Sequence, residues 1–307
     1  MTQDRGESVA WSPGAAVALL AFCVPVWGFN WPVMKIVLLD ITPLWLGTIR
    51  MATTGVVLFV VLALWGRLRT PNRHDAPALI SVGVLMFGVY LILTMIGLSQ
   101  AQAGRAAILT FVTPLWVTPM AILILGERLS RLKAAGLVFA VGGLGVMFNP
   151  LGFDWSRSDV VLGNGLLLLA SMAWAVTIIH LRTHRWRMSP LELGPWQLLV
   201  ATAVIAPAAL WFEGPPEVAW TIELGALLVY AGPLATTLTV WGAIVIMRSL
   251  PATTNSLAFL ATPVVGMLAS SLVLGEKLTA TNVAGLVLIV SGLGCVALSD
   301  ARKATGG

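Results

Sequence analysis

Charged residues are scarce in this chain of 307 residues. Asp, Glu, Lys and Arg together make up 10% of it, whereas hydrophobic residues make up 58% and the mean hydropathy is +0.92. Soluble domains carry roughly 25% charged residues, so this composition excludes an ordinary soluble domain. The apolar residues form runs of about 20 that are separated by short polar stretches, which is the pattern of membrane-spanning helices.

Cysteine and histidine are also rare. Cys23 and Cys295 both lie within apolar runs, and the three histidines are His74, His180 and His184. These numbers exclude a disulfide framework and predict no metal site. No phosphate-binding loop occurs either, so we predict no catalytic group, no cofactor and no nucleic-acid partner. Two alternatives stay open: a membrane-embedded enzyme that acts on a lipid or headgroup, and a channel, for which polar residues are sparse.

Acidic side chains are missing from the middle of every apolar run. Those near the runs lie at the ends, at Asp40, Glu127, Glu192, Glu223 and Glu276. Carboxylates inside the membrane are the usual proton relays of coupled carriers. Their absence favours facilitated diffusion or exchange over carboxylate-coupled proton antiport. His180 could titrate near neutral pH, but its position at the end of a run favours an interfacial role.

Ten spans are predicted from the hydropathy pattern. They cover about 14–36, 43–65, 76–98, 105–125, 131–149, 160–181, 191–212, 222–247, 253–274 and 279–299. Most of the 18 lysines and arginines fall on one side if both termini are cytoplasmic, which is the orientation that the positive-inside rule favours. The first run lacks a small-residue cleavage site, so we expect a retained helix and not a signal peptide.

The chain contains an internal repeat. Residues 113–145 align with 262–294 at a constant offset of 149, with 15 of 33 positions identical, and Trp27 matches Trp174 at an offset of 147. We therefore expect two five-helix repeats, 14–149 and 160–299. An odd number of spans inverts the second repeat relative to the first, as in secondary transporters with a site near the midplane. Duplication for packing alone is the alternative.

Several paired motifs resemble a known family. They are Trp27-Gly28-Phe29-Asn30 with Lys35, Pro43 with Arg50, Pro114 followed by Leu125-Gly126-Glu127-Arg128-Leu129, and Pro263 followed by Leu274-Gly275-Glu276-Lys277-Leu278. Together they resemble the EamA branch of the drug/metabolite transporter superfamily over about 15–299. One departure is Arg105, where the family usually has a small residue.

The resemblance implies a ten-helix exporter of amino acids or other small metabolites in the bacterial inner membrane. Within this branch, the sequence is similar to the YddG-type exporters of aromatic amino acids. Its expected partners are a small-molecule substrate and the lipid bilayer. The sequence leaves the oligomeric state open, with a monomer as one alternative.

Candidate substrate-binding residues are polar or aromatic side chains within the spans. Trp27 and Asn30 share one helix face with Cys23 and Met34, and Trp174 and Thr177 occupy the equivalent face of the sixth helix. We expect the two faces to meet. Apolar walls with a few hydroxyls and indoles suit a zwitterion with an apolar side chain. The full candidate set is Trp27, Asn30, Tyr90, Thr94, Thr110, Trp116, Trp174, Thr177, Thr237, Trp241 and Phe259. The alternative is packing, or hydroxyls bonded to their own helix.

Arg50 lies far enough into its span to be costly unless it pairs. A substrate carboxylate is one partner, but we favour Asp40 or a backbone carbonyl. Pro114 and Pro263 occupy equivalent positions in the repeats and are candidate hinges, although simple kinks are the alternative.

Further predictions concern glycines and turns. The glycines at 136, 143, 285 and 292 are predicted to permit close helix packing, and the repeated turn with Gly126 and Gly275 is predicted to be structural.

Overall fold

The computed structural model describes residues 12–127, 129–148, 158–184, 187–250 and 259–305. These residues form helices joined by turns. In chain order the helices are α1 (Pro13–Val37), α2 (Pro43–Leu64), α3 (Ala76–Gln100), α4 (Ala103–Leu125), α5 (Arg131–Phe148), α6 (Ser158–Thr183), α7 (Pro190–Phe212), α8 (three consecutive segments, Ile222–Val229, Tyr230–Leu234 and Ala235–Ser249), α9 (Ala261–Leu274) and α10 (Ala280–Thr305). The predicted all-helical class is confirmed, and residues 253–258 of the predicted ninth span lie outside the described residues.

Seven helices of the described part are long and apolar enough to cross a membrane, namely α1 to α4, α6, α7 and α10. Two shorter apolar helices, Ile222–Leu238 and Ala261–Leu274, correspond to parts of α8 and α9. Large apolar side chains such as Leu123, Trp211 and Leu272 are more than 80% exposed. Lipid would cover such side chains in a membrane protein. The prediction of ten spans is compatible with this set of helices.

Helix packing is symmetric under exchange of α1–α5 with α6–α10. α5 packs along α10, α2 against α7 and α4 against α9. α1 packs against α8 and α9, and in the same way α6 packs against α3 and α4. The faces of α1 and α6, which the sequence predicts to meet, are not among the closely packed pairs of the described residues, because each helix packs instead on these other elements.

Glycines let α5 and α10 approach each other. A Cβ atom added at Gly136 would lie 2.5 Å from the carbonyl oxygen of Gly292. One added at Gly143 would lie 2.8 Å from the carbonyl oxygen of Gly285. A side chain at either position would push the helices apart, so the predicted role of these glycines in close packing is confirmed.

The repeated turn has the same construction in both halves. α4 ends at Gly126 and α9 at Gly275, and both glycines adopt a left-handed conformation with φ of +67°. Glycine adopts this conformation without the steric penalty of a Cβ atom. Ser130 and Thr279 then cap α5 and α10 by accepting hydrogen bonds of 3.1 and 3.2 Å from backbone N–H groups. The structural role predicted for the turn is confirmed.

Glu127, in the first of these turns, is held by two cations. Its carboxylate accepts hydrogen bonds from Arg182 at 2.6 Å and from Lys133 at 3.1 Å. Burial alone would raise the pKa of Glu127, but the nearby Lys133 and Arg182 lower it below its usual value. The turn is thus tied to the end of α6 and to the first turn of α5.

Irregular helix geometry recurs at equivalent positions. α3 contains a π-helical segment, Ser81–Val89, and α8 contains another, Tyr230–Leu234. Their first residues, Ser81 and Tyr230, are 149 positions apart, which is the offset that also relates the two copies of the turn. A π segment rotates the side chains that follow it, and such segments are frequent at functional sites. In α3 the residue that follows directly is Tyr90.

Both candidate hinge prolines lie in the first turn of a helical segment. α4 is interrupted at Phe111 and Val112, and its second segment, Thr113–Leu125, has Pro114 in its first turn. α9 begins at Ala261, with Pro263 in its first turn. Proline is tolerated there because the first N–H groups of a helix have no intrahelical partner. Both prolines therefore lie just after the start of a helical segment, and neither lies in the middle of a continuous helix.

Candidate functional site

Two aromatic pairs join helices in the interior. Trp27 of α1 stacks on Phe259, with ring centroids 5.1 Å apart and planes inclined by 18°. Tyr90 of α3 packs edge-on against Trp174 of α6, with centroids 4.8 Å apart and planes inclined by 63°. All four residues belong to the predicted set, and all four keep part of their surface accessible. Each pair therefore presents aromatic surface without being closed off by packing.

Two hydrogen bonds to one sulfur atom and one electrostatic interaction lie between these two pairs. Asn30, on the same face of α1 as Trp27, donates from Nδ2 to the sulfur of Met34 over 3.7 Å. Arg50 of α2 donates from Nη1 to the same sulfur over 3.0 Å. The guanidinium of Arg50 is also an electrostatic neighbour of Tyr90. Among the described residues, the faces of α1 and α6 are therefore connected through residues of α2 and α3.

The second contact of Arg50 is with α8. Its Nε donates to Thr236 Oγ1 at 3.2 Å, and no carboxylate among the described residues forms an ion pair with it. The favoured expectation for this residue was Asp40 or a backbone carbonyl, whereas its partners are a hydroxyl and a thioether. The sequence indicated a costly charge in the span but did not place Arg50 in the site.

Four of the predicted residues carry buried polar atoms without a hydrogen-bond partner among the described residues. The atoms are Trp27 Nε1, Asn30 Oδ1, Thr94 Oγ1 and Thr237 Oγ1. Thr94 is close to Tyr90 but does not form a hydrogen bond of good geometry with it. Buried polar groups are nearly always hydrogen-bonded, so each such atom needs an explanation. A polar ligand that binds between these helices would supply the missing partners.

Other members of the predicted set have internal partners. Thr110 donates to the carbonyl of Ala106 at 2.9 Å, and Thr177 donates to that of Ala173 at 3.2 Å. These are bonds to their own helices, which is the alternative that competes with a binding role. Trp116 donates from Nε1 to Ser171 at 2.8 Å and so joins α4 to α6. Trp241 lies on α8, but its side chain is outside the described residues.

Asp75, in the loop before α3, ties this loop to the segment after α6. Its carboxylate is fully buried and accepts four hydrogen bonds, from His184 Nε2 (3.0 Å), Arg187 N–H (3.1 Å), Met188 N–H (2.9 Å) and Asn72 Nδ2 (2.9 Å). Burial alone would raise the pKa of Asp75, but these hydrogen bonds lower it to about 2. The carboxylate is therefore ionised at neutral pH.

Three potential metal ligands also meet at this loop. Ligand atoms of His74, Asp75 and His184 lie within 4.8 Å of one another. This grouping could not be predicted from the sequence, because His184 is 109 positions from Asp75 in the chain. Both oxygens of Asp75 already accept two hydrogen bonds each, so the cluster is accounted for as a connection between two loops.

Comparison with known proteins supports a transporter family. The family model of the EamA-like transporter family matches residues 14–149 and 161–298. A solved crystal structure with 19% sequence identity shares the fold, with a TM-score of 0.64 over 94% of this chain and 97% of that chain.

Related proteins from bacteria match over nearly their full lengths. The uncharacterized transporter YoaV of Bacillus subtilis is 24% identical over 87% of this chain and 91% of its own. A probable amino-acid metabolite efflux pump of Salmonella typhimurium is 26% identical over 90% of this chain and 92% of its own. A probable terminal-alkyne amino-acid exporter of Streptantibioticus cattleyicolor is 24% identical, with coverage of 91% and 92%. With two matched segments that together span most of its residues, this multi-pass membrane protein belongs to the EamA-like transporter family, within the drug/metabolite transporter superfamily.

Proposed function

We propose that the protein exports amino acids or similar small metabolites across the inner membrane of a bacterium. The substrate binds between α1, α2, α3, α6 and α8, next to the two aromatic pairs. Substrates with aromatic or other apolar side chains fit these surfaces best, because the aromatic rings offer apolar area and can also attract an ammonium group. Names of relatives support this class of substrate, since two of them refer to amino-acid efflux or export.

The observation that carries the proposal is a set of buried polar atoms that have no hydrogen-bond partner in the described part of the chain, together with the accessible aromatic rings. Trp27 Nε1 is a donor, Asn30 Oδ1 is an acceptor, and the hydroxyls of Thr94 and Thr237 can be either. An amino acid carries both a cationic donor and an anionic acceptor. A few well-placed polar groups on mostly apolar walls are typical of small-molecule sites.

Alternating access is the proposed mechanism. Ten spans arranged as two inverted repeats, 14–149 and 160–299, with both termini in the cytoplasm, would allow one half to rock against the other. The exchange symmetry of the helix contacts supports this arrangement. The interruptions before Pro114 and Pro263 are equivalent in the two halves and are the proposed hinges.

Transport is proposed to be facilitative or by exchange. In the described residues, carboxylates lie in the end turns of helices or in the connecting loops, as with Glu127, Glu192, Glu213 and Glu276. Asp300 is the exception, and it follows the apolar part of α10, which ends at Ser299. A proton-coupled carrier would use an ionisable carboxylate within the span. The site described above contains none among its contacts.

The test is exchange in proteoliposomes that contain the purified protein. Vesicles are loaded with unlabelled amino acids, and radiolabelled phenylalanine, threonine or methionine is supplied outside, with and without a pH gradient. Saturable exchange without a gradient supports the proposal. Accumulation that depends on the gradient contradicts the facilitative mechanism, and absence of exchange for every amino acid by folded protein contradicts the proposed substrate class.

A further inference from the structure

Arg50 is a partly buried cation within the helix bundle, and no carboxylate among the described residues pairs with it. It lies within α2, between α1 and α8, and its described partners are the thioether of Met34 and the hydroxyl of Thr236. A charge removed from water is costly unless it is paired and hydrogen-bonded. A thioether is a weak acceptor, and a hydroxyl carries no charge, so neither offsets that cost.

Other cations inside this protein have stronger acceptors. Lys35 donates to three backbone carbonyls, those of Leu98 (2.6 Å), Ser99 (3.0 Å) and Ala101 (2.8 Å). Lys133 pairs with Glu127 at 3.1 Å. The protein therefore provides carbonyl or carboxylate oxygens for cations whose role is structural. Arg50 differs from them, since its guanidinium meets no such oxygen among its described contacts.

The fold itself does not require a positive charge at this position. The equivalent residue of the second repeat is Gln197, which is buried in α7 and neutral. α2 packs against α8, and in the same way α7 packs against α3, so the two positions have related environments. A cation in one repeat and an amide in the other make the two repeats electrically different, with the positive charge on α2.

We propose that Arg50 binds the carboxylate of the substrate. This inference rests on the proposed function and assigns one residue to the anionic group. A guanidinium presents a planar fork of N–H donors that matches a carboxylate, and such charge-assisted pairs are among the strongest hydrogen bonds in proteins. Asn30 contacts the same sulfur as Arg50, and its free Oδ1 accepts a hydrogen bond from the substrate ammonium. The Tyr90–Trp174 pair, next to the guanidinium, receives the side chain.

The experiment measures binding by calorimetry to the full-length protein in lipid nanodiscs. Four probes separate the groups of one ligand: phenylalanine, phenylalaninamide, 3-phenylpropionate and phenethylamine. The first and third carry a carboxylate, and the second and fourth do not. The variants are Arg50→Gln, which copies the residue of the other repeat, and Arg50→Lys, which keeps the charge but loses the fork.

The wild type is expected to bind phenylalanine about 10- to 100-fold more tightly than phenylalaninamide, since a hydrogen bond to a charged group is worth roughly 1.5–3 kcal/mol. Arg50→Gln is expected to remove this difference and to abolish binding of 3-phenylpropionate. Arg50→Lys is expected to keep part of the preference for phenylalanine over phenylalaninamide, because it retains the positive charge. The matched control is Gln197→Asn, at the equivalent neutral position, which should keep the preference for the carboxylate.

Two results would overturn the inference. One is a wild type that binds phenylalanine and its amide equally well. The other is an Arg50→Gln variant that stays folded and keeps the wild-type preference. Exchange of labelled phenylalanine is measured on the same preparations. If the wild type exchanges phenylalanine but shows no preference for a carboxylate, the role of Arg50 is refuted and the proposed export function stands. If the wild type binds 3-phenylpropionate through Arg50 but exchanges no amino acid, the proposed export function is refuted and the anion site stands.

Discussion

Glu276 caps the first turn of α4 through Gly104, although the two residues are 172 positions apart in the chain. The carboxylate accepts a hydrogen bond of 3.0 Å from Gly104 N–H and one of 2.6 Å from Ala103 N–H. The first N–H groups of a helix have no intrahelical partner, and a negative charge next to them is favourable. The turn that ends α9 in the second repeat thus completes a helix of the first repeat.

Replacement of Glu276 by alanine is expected to lower thermal stability. The variant loses both hydrogen bonds at the start of α4, at a cost of about 0.5–2 kcal/mol, which is the usual effect of removing a helix cap. The melting temperature of each variant is measured in detergent solution. Glu217→Ala is the control, because Glu217 is exposed in the loop between α7 and α8. Equal melting temperatures for the two variants would contradict a capping role.

Asp75→Asn is expected to destabilise the protein at neutral pH. The amide would face the N–H groups of Arg187 and Met188 with a donor in place of one acceptor oxygen, which leaves buried donors unsatisfied at a cost of about 1–3 kcal/mol. The loss of stability is measured as the difference in melting temperature between the wild type and the variant. Asp40→Asn changes an exposed carboxylate after α1 and serves as the control.

The contribution of Asp75 should depend on pH with a definite sign. Its folded pKa of about 2 lies below the unfolded value of roughly 3.9, so its stabilisation is fully present above pH 4 or so and is lost as the pH falls towards 2. The difference in melting temperature between wild type and Asp75→Asn should shrink over this range. A constant difference between pH 7 and pH 3 would show that the ionised carboxylate is not the stabilising species.

Gly136→Ala is expected to destabilise the contact between α5 and α10. The new methyl group would lie 2.5 Å from Gly292 O, so the helices must separate at a cost of about 1–3 kcal/mol. Gly142→Ala in the same helix is the matched control, since a Cβ atom there meets nothing within 4 Å. The measurement is the melting temperature of both variants, and a loss in Gly142→Ala as large as that in Gly136→Ala would argue against close packing as the cause.

Local features of the structure could be predicted from the sequence. The helices follow from apolar runs, and the turns at Gly126 and Gly275 follow from a glycine placed between a helix end and a capping hydroxyl. Such features depend on neighbours within a few residues, and the repeat displays each of them twice. The glycine contacts between α5 and α10 were predictable for the same reason, because their spacing recurs in both copies.

Long-range partners could not be predicted. Nothing near Arg50 in the sequence indicates Thr236, which is 186 positions away, whereas the sequence favours Asp40 or a backbone carbonyl as its partner. The link between the α1 and α6 faces was expected to be direct, but it passes through Met34, Arg50 and Tyr90. Contacts of this kind depend on how the helices pack, and hydropathy and spacing carry no information about it.

The two hinge prolines should affect rate more than affinity. Pro114→Ala and Pro263→Ala add an N–H group in the first turn after each interruption, which favours a continuous helix over a bend. Exchange in proteoliposomes is expected to slow several-fold, with substrate affinity unchanged. Pro207→Ala, within α7 and away from both interruptions, is the control. A loss of affinity with an unchanged maximal rate would place these prolines in substrate binding instead.

Trp27 and Trp174 should contribute separately to binding of an aromatic substrate. They occupy equivalent positions in the two repeats, but Trp27 stacks on Phe259 and has an unpartnered Nε1, whereas Trp174 packs against Tyr90. Trp27→Ala and Trp174→Ala are each expected to weaken phenylalanine binding about tenfold, since aromatic contacts are worth roughly 0.5–1.5 kcal/mol beyond area burial.

A second substitution at Trp27 separates stacking from hydrogen bonding. Trp27→Phe keeps a ring against Phe259 but removes the Nε1 donor, so any affinity that it loses reports a hydrogen bond to the ligand. Calorimetry with phenylalanine measures both variants. Trp211→Ala is the control, because Trp211 is 85% exposed near the end of α7 and should leave affinity unchanged. If Trp27→Phe bound phenylalanine as weakly as Trp27→Ala, the indole N–H would be the main contribution of Trp27 to affinity. Wild-type affinity in both variants would show that Trp27 of α1 does not contact the substrate.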